Sequence, residues 1–137
     1  MTTIEIEKPT RVSQVLVVDD SPVERKILSR ILSSNGLDYT EACDGIEALE
    51  TIKVNLPELI ILDVEMPRMN GYEVCHQLKN DAKTHRIPIL MCTSKAMSSD
   101  PYWGSRKGAN AYVLKPYHTK DLIRKVKLLL STSPFVS

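Results

Sequence analysis

The chain has 137 residues, 42% apolar and 26% charged, with a net charge of +1. That is one domain of ordinary size, able to bury a core without staples, and its balanced charge excludes nucleic acid or an anionic bilayer as a partner chosen by bulk electrostatics. No apolar run approaches the roughly 20 residues that span a bilayer, and the acidic start Met1-Thr2-Thr3-Ile4-Glu5-Ile6-Glu7 lacks the layout of a signal peptide, so a cytoplasmic protein is expected.

In chain order, residues 1–13 read as a flexible extension, 14–130 as the folded domain and 131–137 as a polar tail. Val15-Leu16-Val17-Val18 is a continuous apolar run ending in Asp19-Asp20. A run this short fits a strand buried on both faces of a parallel sheet. Ser21-Pro22-Val23-Glu24 then predicts a helix: Ser21 caps it, Pro22 takes the first helical position and Glu24 completes a capping box. Val23, Ile27, Leu28 and Ile31 predict its buried stripe, and Asn35-Gly36 its end. A modest strand is expected over Leu37 to Ala42. Asp44 and Glu47 mark a second capped helix, with Ile46, Leu49 and Ile52 on one face and Leu56-Pro57 at its end.

Leu59-Ile60-Ile61-Leu62 is the next apolar run, and it leads straight into Asp63. A Pro-containing loop follows, then Asn70-Gly71-Tyr72-Glu73, an N-cap with Glu three residues on. The helix from about Gly71 to Asn80 carries Tyr72, Val74 and Leu78. Ile87 to Cys92 is the fourth run and ends in Thr93, with Pro88 near its start, where a missing donor is tolerable. A short helix is capped by Ser99 or Asp100, begun by Pro101 and closed by Gly108. Ala111 to Leu114 is the fifth strand, ending in Lys115-Pro116. The last helix runs from Thr119 to about Leu130 with Leu122, Val126 and Leu129 inward. Five alternations of strand and helix predict a doubly wound α/β fold: a five-stranded parallel sheet with helices on both faces. All strand carboxyl ends then share one edge, where such sheets bind ligands. Cys43, Cys75 and Cys92 read as buried free thiols, and His76, His85 and His118 as surface residues with no metal spacing.

The runs deliver Asp19, Asp20, Asp63, Thr93 and Lys115 to that edge. Each alone has a bland reading, as a cap, a turn or a solvated charge. Three gathered carboxylates repel one another, and a hard divalent cation relieves this. Mg²⁺ takes one or two carboxylates plus waters and phosphoryl oxygens. The edge therefore reads as a site for Mg²⁺ and a phosphoryl group, with Asp63 the nucleophile on the most apolar and central strand. Phosphoryl transfer needs mainly alignment and charge neutralisation, which Mg²⁺ and Lys115 supply, while the Thr93 hydroxyl bonds a phosphoryl oxygen.

On Asp19-Asp20-Ser21-Pro22, Leu62-Asp63 with Met66-Pro67 and Asn70-Gly71, Thr93, Gly108-Ala109 before Tyr112, and Lys115-Pro116, the chain resembles the receiver domain of two-component response regulators, the CheY-like fold. The resemblance implies the flavodoxin-like strand order 2-1-3-4-5. It implies that Asp63 is the phosphoacceptor, charged by a histidine kinase, CheA-like or hybrid. Asp20, Asp63 and the backbone carbonyl of Glu65 would hold Mg²⁺, with Asp19 assisting through water. Thr93 and Tyr112 would form a switch pair, and the Lys115-Pro116 bond would be cis. Glu65 and Lys95, each two residues past a site residue, are expected to pair across the site and slow the water that hydrolyses the acyl phosphate.

No second domain is expected, so output is expected to be a protein contact on the surface of the fourth helix, fifth strand and last helix, which offers Tyr102, Trp103, Arg106, Lys107, Tyr117 and Lys120. The segment Trp103-Gly104 to Gly108-Ala109 is similar to stand-alone regulators of pilus-driven twitching motility and phototaxis, the PilH type. Rival readings are a phosphate sink or pseudo-receiver adaptor and an Mg-dependent aspartate-nucleophile phosphohydrolase. The hydrolase would want an Asp where Glu65 stands, and no cap domain selects a substrate. A flavin or nucleotide binder would need a phosphate-cradling loop where the acidic Asp19-Asp20 lies. The chain is thus expected to catalyse only its own phosphorylation and dephosphorylation.

Overall fold

Four short apolar runs placed side by side account for most of the architecture. In the computed structural model, which describes residues 14–94 and 108–133, β1 (Val15–Val18), β2 (Tyr39–Ala42), β3 (Leu59–Asp63), β4 (Ile89–Thr93) and β5 (Ala111–Leu114) form one parallel sheet in the order β2-β1-β3-β4-β5. The described helices are α1 (Pro22–Ser34), α2 (Gly45–Val54), α3 (Gly71–Lys79) and α4 (Thr119–Thr132). The doubly wound fold expected from the sequence is the observed one. The short helix expected between Ser99 and Gly108, and the extension over residues 1–13, lie outside the described residues.

Alternate residues of a strand face opposite sides, and here both sides are buried. Leu16, Val18, Ile60, Leu62, Ile89 and Met91 meet Ala48 and Ile52 of α2 and Val74, Cys75 and Leu78 of α3. Val15, Val17, Leu59, Ile61, Leu90 and Cys92 meet Leu28 and Leu32 of α1 and Leu122, Val126 and Leu129 of α4. That is why β1, β3 and β4 have no polar alternation to read. Each fully buried Leu or Ile contributes roughly 1.5–3 kcal/mol of burial.

The helix starts follow the sequence closely. Ser21, Asp44 and Asn70 each accept from the backbone N–H three residues on, and Asn70 with Glu73 forms a full capping box. The helix phases need correcting. Val23 and Ile27 of α1 are 67% and 41% exposed and Ile46 of α2 is 40% exposed. Leu28 and Ile52 are buried as expected, joined by Leu32 and Ala48, and Ile31 and Leu49 pack partly against the core. Cys43, just past the end of β2, is exposed, so only Cys75 and Cys92 are buried thiols. All three histidines are exposed, as expected.

Candidate functional site

Strand register brings the acidic residues together. Val18 lies beside Leu62 and Asp63 beside Cys92, so β1, β3 and β4 end along one edge. Asp19 is buried, Asp20 is exposed and Asp63 is 5% exposed. One carboxylate oxygen of each lies within 4.8 Å of the others. Lys115 enters from the end of β5, where its N–H donates to the Thr93 carbonyl at 2.9 Å. Its Nζ contacts Asp63 Oδ1 at 3.0 Å and Asp19 Oδ2 at 3.2 Å. The Lys115-Pro116 bond is cis.

The electrostatics follow from burial. Desolvation pushes the Asp63 carboxyl up to about 6, helped by the Asp19 and Asp20 charges and opposed by Lys115. Burial works against the Lys115 charge, yet its contacts with Asp63 and Asp19 outweigh this and hold its pKa above the ordinary lysine value. Asp19 is already engaged at both oxygens, since Ser21 N–H donates to Oδ1 at 2.9 Å and Lys115 holds Oδ2. Asp63 and the exposed Asp20 are therefore the carboxylates better able to meet a cation directly. Hard oxygen donors, close-set and short of positive charge, fit a small divalent cation.

The loop from Asp63 to α3 is folded tightly. Gly71 N–H donates to the Val64 carbonyl at 2.9 Å. A Cβ at Gly71 would come within 2.3 Å of the Asp63 carbonyl oxygen, so no side chain fits while Asp63 keeps its place. In the sequence Gly71 reads as the start of a helix and as part of a family motif, and neither reading shows that it leaves room for the Asp63 carbonyl. Two arginines were missed altogether. Arg25 Nη1 donates to the Asp19 carbonyl at 2.7 Å. Arg68 stands in that same loop at φ 69 and pairs with Asp44. Neither had a sequence signal, because each contact joins residues that no motif relates.

Of the other expected residues, Thr93 is buried at the end of β4 and its hydroxyl donates to the Ser94 carbonyl at 3.3 Å. Tyr112 is half-buried against the α2–α3 side of the core, two residues before the end of β5. The Glu65 side chain is exposed beside Asp63. Lys95, Tyr102, Trp103, Arg106 and Lys107 lie outside the described residues. Tyr117 is half-buried: it packs against the α1–α4 side of the core with its hydroxyl enclosed beside the Cys92 thiol. Lys120 is exposed. No helix among the described residues is long and apolar enough to cross a membrane.

The model of the response regulator receiver domain matches residues 15–127. The chain is 32% identical to protein PilH of Pseudomonas aeruginosa, over 87% of this chain and 98% of PilH. It spans about half the length of the mycobacterial MprA response regulators it also matches, 52% of that from Mycobacterium sp. strain KMS. A putative response regulator from Chloroflexus aurantiacus superimposes with a TM-score of 0.82 at 34% identity, covering 87% of this chain and 98% of that one. The receiver domain of a sensor histidine kinase from Pseudomonas aeruginosa, described with a magnesium ion coordinated in its active site cleft, gives 0.79 at 26% identity, covering 87% of this chain and 98% of that one.

Proposed function

The chain belongs to the response regulator receiver domain family of two-component signalling, and from that premise we propose that it is a switch charged by phosphorylation of Asp63 from the phosphohistidine of a partner kinase. The P–N bond of the donor breaks and a P–O bond to an Asp63 carboxylate oxygen forms. The imidazole leaves with the bonding electrons and takes up a proton. The observation that carries this reading is the convergence of three carboxylate oxygens within 4.8 Å with Lys115 Nζ 3.0 Å from Asp63.

Asp63 and Asp20 would hold Mg²⁺ together with the Glu65 backbone carbonyl. Asp19 would act through water, because both its oxygens are already taken. When bound, the cation supplies positive charge to the transferred phosphoryl oxygens. Lys115 keeps its ammonium on Asp63 Oδ1 and offers a fixed charge to the acyl phosphate. The Thr93 hydroxyl, whose bond to the Ser94 carbonyl is long at 3.3 Å, would turn toward a phosphoryl oxygen, with Tyr112 following it inward. Such a switch needs roughly 5 kcal/mol of differential interaction to pass from mostly off to mostly on.

The kinase would approach over α1. That helix begins two residues past Asp20, and it exposes the large apolar groups Val23 and Ile27 within its first six residues. The similarity to PilH supports a place in pilus-driven motility. Intact mass after incubation with acetyl phosphate and Mg²⁺ tests the core of the proposal. One phosphoryl group should add to the wild type and none to Asp63→Asn. Equal labelling of both would remove Asp63 from the reaction, and turnover of a generic phosphoester would favour the hydrolase reading.

A further inference from the structure

β2 and the turn after it add no carboxylate to the cluster of Asp19, Asp20 and Asp63. Two of their carboxylates are nevertheless occupied by arginines that reach over from the segments bearing that cluster. Glu41 on β2 accepts from Arg25 Nε at 3.0 Å, and the same guanidinium donates to the Asp19 carbonyl. The buried Ser29 hydroxyl donates to the other Glu41 oxygen at 3.0 Å, so that carboxylate is held at both ends. Three residues on, Asp44 accepts from Glu47 N–H at 2.8 Å as the cap of α2 and pairs its other oxygen with Arg68. A backbone bond from Asp19 N–H to the Ala42 carbonyl at 3.2 Å joins the same two segments.

We propose that the segment from Glu41 to Asp44 is a brace that sets the cation affinity of the site without touching the cation. Through Arg25 it holds the turn that carries Asp19 and Asp20. Through Arg68 it holds the loop that carries Glu65. The inference rests on the metal reading above. A cation shared between Asp20 and Asp63 needs two separate turns at a fixed spacing, and outer partners that fix donors commonly govern metal affinity.

Charge alone gives the opposite expectation. Each arginine adds positive charge near a site meant for a cation, which by Coulomb's law disfavours binding. Each is offset by a brace carboxylate that itself lies outside the cluster. Arg68 also sits at φ 69, a left-handed conformation that glycine adopts freely and a side chain resists. Its pairing with Asp44 ties that residue to the start of α2, beside the Gly71 N–H bond to the Val64 carbonyl within the loop.

The two accounts differ in sign. Mg²⁺ titration by calorimetry is run on the wild type, Asp20→Asn, Arg25→Gln and Arg68→Gly, with urea unfolding in EDTA alongside. The wild type should bind saturably and Asp20→Asn should not. Each arginine variant should bind about tenfold more weakly, the low end of what losing an outer partner costs, although each has lost a repelling charge. Arg68→Gly should keep or raise its urea midpoint in EDTA, because glycine relieves the backbone, so weaker binding there reports the lost tie and not a damaged fold. Equal or tighter binding in either variant overturns its half of the brace and leaves the metal reading standing. A wild type that shows no saturable binding overturns the metal reading, and the brace with it.

Discussion

Three carboxylates that share one edge should destabilise the protein when no cation is present, and Asp63→Asn measures how much. The Asp63 carboxyl is raised from 3.8 to about 6, burial being the largest cause. At about 1.4 kcal/mol per unit, the ceiling is about 3 kcal/mol. Water reaches the rim through the exposed Asp20, so screening leaves about 1–2 kcal/mol. Because the folded state holds the higher pKa, it carries more protons than the unfolded chain between about pH 4 and pH 6. Stability therefore falls as pH rises through that window, and the deficit persists above it. Asparagine keeps the shape and an oxygen for Lys115 but loses the charge. In EDTA near pH 7.5 the variant should melt about 3–8 °C above the wild type, and the gap should close as pH falls from 6 toward 4. Added Mg²⁺ should stabilise the wild type by mass action and the variant less, narrowing or reversing the gap. A variant no more stable than wild type near pH 7.5, or one whose advantage survives unchanged at pH 4, would refute the claim that burial and like charge strain this site.

Two further substitutions probe its surroundings. Gly71→Ala places a Cβ 2.3 Å from the Asp63 carbonyl oxygen, so urea unfolding should show a loss of about 1–3 kcal/mol, and labelling by acetyl phosphate should fall because Asp63 is displaced. Val23→Asp changes a residue 67% exposed on α1. It should leave stability within about 0.5 kcal/mol and labelling by acetyl phosphate intact, while transfer from a phosphorylated kinase drops; equal transfer would move the docking face away from α1.

The sheet was legible because a strand covered on both faces has no choice but to be apolar, and Val15–Val18, Leu59–Leu62 and Ile89–Cys92 state that directly. The helix caps were legible because the capping side chain and its N–H are three residues apart, and Ser21, Asp44 and Asn70 each sit at that spacing. Helix phase was not. In α1 Val23 and Ile27 share helical spacing with Leu28, Ile31 and Leu32, and only the sheet's position leaves the first two outside. In α2 the close approach near Gly45, where a Cβ would meet Val74 Cγ2 at 2.6 Å, brings Ala48 inward and leaves the larger Ile46 outside. Tyr117 follows a strand end and reads as exposed, yet the space beside Cys92 takes its ring in.

The acidic set and Lys115 were legible for the same reason as the strands that end in them, and this links core to chemistry. Like charges do not gather on a pliable surface; they separate and hydrate. Here Asp19 and Asp63 are carried by the residues just before them, Val18 and Leu62, which are neighbours in the sheet and 1% and 0% exposed. A packed interior resists such repulsion because moving either strand end would open space that dense packing does not tolerate. The apolar burial beneath the rim thus offsets the repulsion above it, and the repulsion in turn leaves the site short of positive charge, as the proposed cation site requires. What the strands cannot fix is the spacing of the turns beyond their ends, which is where Arg25 reaches across to Glu41 on β2 and Arg68 to Asp44 at the start of α2. Site and scaffold therefore meet at residues with no chemistry of their own: Glu41 and Asp44 hold the two arginines, and Gly71 leaves room for the Asp63 carbonyl.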